Sequence, residues 1–211
     1  MMRRPRDVIP QLLVALVAVF FISYIAAASF LRARAIYAAR NLDCLQNSHE
    51  IMRIKIYGSS SSSVGGTVSA RLSVIDSNGN EISAIERSWP GSYLSLEFSR
   101  VSLYGKNFVF PVRVYGKERI SERSRAGKSY NKGTHLEKYY DDYRQCMLLG
   151  HGSSAEERRM LRWLSVFATK KYPLMQFSLA EYIDLDLSGC KSEIYYSVIC
   201  GADGSIFLEA L

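Results

Sequence analysis

Apolar positions along this chain change period three times. From Val8 to Leu31 the residues read VIPQLLVALVAVFFISYIAAASFL, apolar on every face and without a charge. A helix of about 20 such residues crosses the hydrocarbon core of a bilayer, so the segment predicts a transmembrane helix with room to tilt. Pro10 falls in its first turn, where a missing N–H costs little, and Tyr24 lies toward the far interface. Strong helix formers continue through RARAIYAARNLDCLQ, which predicts that the helix runs on into water as a stalk over residues 32–48.

From residue 49 the period falls to two. Met52, Ile54 and Ile56 alternate with Arg53, Lys55 and Tyr57, the pattern of a half-buried strand. A flexible polar GSSSSSVGG loop follows. Val68, Ala70, Leu72 and Val74 then alternate with polar residues up to Asn78-Gly79, and Asn-Gly between two alternating runs predicts a hairpin. The run from Glu81 to Trp89 ends at a second turn, Pro90-Gly91. Leu94, Leu96 and Phe98, a turn at Tyr104-Gly105-Lys106-Asn107, and Phe108, Phe110, Val112 and Val114 complete a five-strand meander. Pro111 cannot donate to a ladder and marks the last strand as an edge.

Near the C-terminus the helical period returns in HGSSAEERRMLRWLSVFATKKY. Ser154 and Glu157 have capping-box spacing, Met160, Leu161, Leu164 and Phe167 form one stripe, and Pro173 stops the helix. EIYYSVICGADGSIFLEAL predicts a last hairpin around Ala202-Asp203-Gly204. A sheet with one apolar face must be covered. The expected fold is therefore α+β: a transmembrane helix with a helical stalk, then a sandwich-like antiparallel meander packed by one or two C-terminal helices and a final hairpin. Residues 1–7 form a basic arm, 8–31 the membrane helix, 32–48 the stalk and 49–211 the β-rich domain.

Composition narrows the setting. A chain of 211 residues, 48% hydrophobic and 22% charged, suits one folded domain with an appendage. The formal charge is +7, but three of the 27 basic residues and one of the 20 acidic ones lie in the N-terminal arm, which leaves the body at +5. That balance suits a protein facing anionic envelope polymers or lipid head groups, and it is too small to argue for nucleic acid. No cofactor, metal or small-molecule substrate is indicated.

Arg3, Arg4 and Arg6, with Ala26-Ala27-Ala28 before Ser29, also fit a cleaved signal peptide. A signal's apolar region is usually about 7–15 residues and this one is longer, so an uncleaved anchor is expected. Arg32, Arg34 and Arg40 follow the span almost as densely as arginines precede it, which leaves the positive-inside rule near a tie. All four cysteines, Cys44, Cys146, Cys190 and Cys200, lie beyond the anchor. An even count fits two disulfides in an oxidising compartment, which places the domain outside the cytoplasm; buried reduced thiols are the alternative.

Several short motifs invite a catalytic reading. Tyr139-Tyr140-Asp141-Asp142 has the form of a polymerase metal turn, without the third carboxylate or the template-binding surroundings that chemistry requires. Gly127-Lys128-Ser129 ends like a P-loop, but Glu122 stands where the first glycine is needed. His135 and Glu137 form an H-x-E with no P-C-x-x-C downstream, and His49, His135 and His151 lack paired ligand spacing. In gross plan the chain resembles the sortase family of cysteine transpeptidases, with an N-terminal anchor, a β-rich domain and a cysteine closing YYSVIC. The resemblance implies Cys200 as nucleophile, His135 or His151 as its partner and a downstream arginine for the oxyanion. No arginine follows Arg162, so a structural Cys200 is preferred. A long apolar helix leading into an antiparallel sheet also resembles pilins, but their leader glycine and the acid inside the apolar run are both missing.

What remains is a contact surface. Lys117, Arg119, Arg123, Arg125, Lys128 and Lys132 face only Glu118 and Glu122 in one polar segment, and Tyr130, Tyr139 and Tyr140 lie in and after it. Cations beside tyrosines suit an anionic envelope polymer or an acidic protein partner; a solvated mobile loop is the simpler reading of the same residues. The functional expectation is a single-pass, non-catalytic binding or structural component of the cell envelope.

Overall fold

A computed structural model describes residues 8–42, 48–62, 65–117, 133–169 and 179–211. The first element, α1 (Val8–Asn41), is one uninterrupted helix of 34 residues, roughly 50 Å long at 1.5 Å per residue. It is long and apolar enough to cross a membrane, and every residue from Gln11 to Ser23 is exposed. Past that point one face closes. Ala28 is half-buried and Leu31, Ala35, Ala38, Ala39 and Leu42 are buried, in 3-4-3-4 spacing along the helix. This face packs on α2 (Ala155–Thr169), and its alanines allow a close approach.

The helix expected beyond residue 31 is present as far as Asn41, and residues 43–47 of the expected stalk lie outside the described residues. Helix formers do carry α1 past the apolar run, but its last turns belong to the domain's hydrophobic cluster. Two contacts fasten its end: Lys106 Nζ donates to the Leu42 carbonyl at 2.6 Å, and Arg40 donates to the Tyr104 hydroxyl at 2.7 Å while lying 4.6 Å from that ring's centroid. A cation at a helix C-terminus satisfies an orphan carbonyl and complements the helix dipole.

The strands are β1 (His49–Ser62), β2 (Gly65–Ile75), β3 (Glu81–Pro90), β4 (Tyr93–Leu103), β5 (Lys106–Lys117), β6 (Thr134–His135), β7 (Asp141–Asp142), β8 (Gln145–Cys146), β9 (Ala180–Asp186), β10 (Tyr195–Cys200) and β11 (Ile206–Ala210). They form a five-stranded sheet in the order β11-β10-β1-β2-β3, a four-stranded sheet in the order β6-β5-β4-β9, and a separate β7-β8 ribbon. The predicted meander is present but divided, since β1–β3 belong to one sheet and β4–β5 to the other. The chain changes sheet at Gly91, whose N–H donates to the Gly66 carbonyl at 2.7 Å. A Cβ on Gly91 would stand 2.8 Å from Gly116 C, and one on Gly116 only 1.9 Å from the Pro90 carbonyl oxygen, so the two sheets meet here through bare backbone.

The predicted strand faces hold. Met52, Ile54, Ile56, Val68, Ala70, Leu72 and Val74 from the first sheet share one cluster with Leu94, Leu96, Phe98 and Val114 from the second. The opposite face of the first sheet is solvated and carries ion pairs such as Arg71–Glu81 at 3.2 Å. The Asp76–Asn80 turn is closed by the Asp76 carboxylate, which accepts the backbone N–H groups of Asn78 and Asn80 at 2.8 Å each. β5 is nearly an edge, as Pro111 predicts: among the described residues its outer side pairs only with two-residue β6. The C-terminal helix and the β10-β11 hairpin also form as expected, whereas β9, along β4, was not anticipated.

Candidate functional site

The Tyr-Tyr-Asp-Asp motif does lie on a tight hairpin. Asp141–Asp142 pairs with Gln145–Cys146, and Tyr143 and Arg144 make the turn with φ of 41° and 65°. Bulky residues seldom adopt that left-handed backbone. The aspartates are not gathered for a metal, however. Asp141 accepts from Arg162 on α2 at 2.9 Å, and among the described residues no three carboxylate, histidine or cysteine side chains converge.

Tyr140 corrects the expected contact surface. It is 1% exposed, its hydroxyl donates to the Pro111 carbonyl at 2.9 Å, and burial pushes its phenol well above the usual range. The aromatic ring is needed as core filler, so Tyr140 offers nothing to a partner. Tyr139 is half-buried against the same cluster, with the Lys138 ammonium 4.9 Å from its ring centroid. Arg119, Arg123, Arg125, Lys128, Tyr130 and Lys132 lie outside the described residues.

The two ends of that basic segment, Lys117 and Gly133, both emerge on one polar face of the four-stranded sheet. Register places Glu97, Arg113 and Asp184 side by side across β4, β5 and β9, with Ser95, Tyr115 and Lys117 beyond them. Arg113 donates to Glu97 at 2.7 and 2.8 Å, and its guanidinium lies 4.7 Å from the Tyr115 ring centroid. Lys117 pairs with Asp184, which also accepts from Ser95 at 2.5 Å and from Tyr115 at 3.1 Å. Burial opposes the charge on Asp184, but the donors Lys117 and Ser95 outweigh it and hold the carboxyl below its ordinary 3.8. Beside this ladder lies a cavity of about 270 Å³ lined by Glu97, Val112, Arg113, His135, Glu137 and Thr169.

Charge on this face is internally balanced: Arg113 is matched by Glu97, and Lys117 by Asp184. Alternation along β5 puts Arg113 and Tyr115 on its polar side, so half of the face was visible in the pattern. The partners were not, because Asp184 lies 67 residues from Lys117 on a strand with no strong apolar alternation.

The thiols behave as small core residues. No disulfide joins any two of Cys146, Cys190 and Cys200, and Cys44 lies outside the described residues. The expectation of two disulfides is corrected, since the three described cysteines contribute to or pack on the apolar cluster. Burial pushes Cys146 up to about 12 and Cys190 to about 11. Cys200 is 5% exposed at the end of β10. His135 lies on β6 in the other sheet and His151 in the turn before α2, while Cys200 is opposite His49 of β1 on one side and Ile206 of β11 on the other. Cys200 and His49 line a cavity of about 50 Å³ whose walls include Leu42, Phe108 and Leu161.

Set against known protein families, curated proteins and solved structures, the chain matches none of them.

Proposed function

We propose that this chain is a single-pass membrane protein whose β-rich domain lies on the extracytoplasmic side and acts as a non-catalytic binding or structural component of the cell envelope. One observation carries the reading: α1 is a bare apolar helix over its first half and an integral part of the domain's core over its second. A helix exposed on every face is stable in lipid and not in water. Orientation rests on Arg3, Arg4 and Arg6 ahead of the span against Arg32 and Arg34 beyond it, since Arg40 is held by the Tyr104 hydroxyl within the domain.

Topology is tested with Ala84→Cys, an exposed site on β3. A membrane-impermeant maleimide is expected to label it in intact cells, and labelling only after lysis would reverse the orientation. Binding is tested by replacing Lys117, Arg119, Arg123, Arg125, Lys128 and Lys132 with alanine. Loss of co-sedimentation with envelope polymer supports a contact role, and unchanged sedimentation removes it.

A cysteine transpeptidase is the second reading, and the pairing of His49 with Cys200 is the observation that favours it. Against it stand the 5% exposure of Cys200 and a cavity of about 50 Å³, too small for a peptide. Cys200→Ala decides the matter, since a transpeptidase would lose all activity and an envelope-binding protein would keep its binding.

A further inference from the structure

The end of the bare stretch of α1 coincides with a cluster of aromatic and cationic side chains. The 20 residues from Val8 to Ala27 precede the first packed position of the buried face, Ala28, apart from half-buried Tyr24. At 1.5 Å per residue they span about 30 Å, which is the thickness of the hydrocarbon core. No helical spacer therefore remains between bilayer and domain. At the next turn Phe30 meets Trp163 of α2 edge-to-face, with ring centroids 6.0 Å apart. The Arg34 guanidinium lies 5.2 Å from the Phe30 centroid and 5.8 Å from that of Trp163. Arg32 and Arg34 are both exposed, and among the described residues no carboxylate pairs with either.

From this placement we infer that the domain rests directly on the bilayer, with Trp163 at the lipid interface and Arg32 and Arg34 binding the phosphates of anionic phospholipid headgroups. The inference rests on α1 spanning the membrane. Tryptophan favours the headgroup level, where its ring is in apolar surroundings and its N–H in polar ones. A guanidinium held against aromatic rings keeps its N–H edge free for phosphate oxygens, which it meets in bidentate geometry. Ring contacts also limit the rotamers Arg34 has to give up on binding.

The test uses the full chain in vesicles of neutral phospholipid containing about a third anionic phospholipid, with bromine on the acyl chains of one class or the other. Trp163 is read as the difference between the chain and Trp163→Phe, since Trp89 is buried in the core. Trp163 is expected to be quenched, and more strongly when the anionic class carries the bromine. At roughly 1 kcal/mol per arginine near a charged surface, each arginine enriches anionic lipid about fivefold. Arg32→Gln with Arg34→Gln, checked for native near-UV dichroism, is expected to bring the preference to unity while leaving quenching by neutral lipid. A chain that stays in alkali-washed vesicles with Trp163 unquenched overturns the inference and leaves the anchor standing. Quenching without lipid preference overturns the headgroup assignment. A chain washed out of the vesicles overturns the anchor reading itself.

Discussion

Gly116 shows how a single residue can decide a two-sheet fold. Its missing Cβ leaves room for the Pro90 carbonyl, which a methyl group would meet at 1.9 Å. Gly116→Ala must separate two backbones, and such overpacking costs about 1–3 kcal/mol, read as a lower denaturant midpoint at unchanged slope. The Pro90-Gly91 turn was legible because local backbone chemistry demands it; the need for glycine at 116 was not, because the neighbour that demands it is distant in sequence. Asp184 is illegible for the same reason and carries a pH signature. Its carboxyl is held below 3.8, so the stability it adds is present above that ordinary value and is lost as pH falls through the lower folded one. Asp184→Asn is expected to flatten the acid limb of a stability–pH profile and to leave its neutral plateau comparatively level. An unchanged acid limb would mean that Lys117, Tyr115 and Ser95 do not act on the charged form.

Among the elements, the start and the buried stripe of α2 were readable because their signals are local, while Pro173, expected to stop the helix, lies outside the described residues. Ser154 and Glu157 make the reciprocal capping box, with Ser154 N–H donating to Glu157 at 2.8 Å and Glu157 N–H donating to Ser154 Oγ at 3.2 Å. Ser154→Ala is expected to lower stability by about 1 kcal/mol, and the Ser154 hydroxyl, with its N–H, donates to the Glu157 carboxyl and holds it below its usual value. The alternating parts of the meander were equally plain, but Gly58–Ser62 and Gly65–Gly66, expected in a flexible loop, are strand, because the ends of β1 and β2 stay paired as far as Ser62 and Gly65. Two elements escaped. β9 reads AEYIDLD, with acids on both sides of the alternation, and becomes a strand through pairing with β4. The buried face of α1 escaped because its key positions are Ala35, Ala38 and Ala39, which signal helix without saying which side is covered. Ala38→Leu distinguishes packing from propensity: leucine is nearly as good a helix former, so a lower melting temperature on this change would come from the α1–α2 contact.

At the scale of the whole molecule, the division between the helix stretch long and apolar enough to cross a membrane and the domain does not fall where the hydropathy changes. The apolar run ends at Leu31, yet Leu31 already belongs to the domain's cluster, as do Ala35, Ala38, Ala39 and Leu42. Two truncations separate the views. A chain beginning at Ser29 loses the bare half of α1 and keeps every one of those residues, so it is expected to be monomeric, soluble and cooperatively folded. A chain beginning at Ser48 loses two buried leucines, three buried alanines and the carbonyl that Lys106 holds. At about 2 kcal/mol per leucine and less per alanine, the loss is on the order of 5 kcal/mol, as large as the whole stability of many domains. That shorter chain is expected to aggregate or to melt without cooperativity in a thermal scan. Equal melting of the two would return residues 29–42 to the role of a stalk. If the longer chain alone folds and α1 crosses a bilayer as proposed, a rotation or tilt of α1 moves the α2 interface with it, because one unbroken helix carries both the bare and the packed stretch. In that arrangement the polar face of β4, β5 and β9 is also held at a fixed distance from the end of the span.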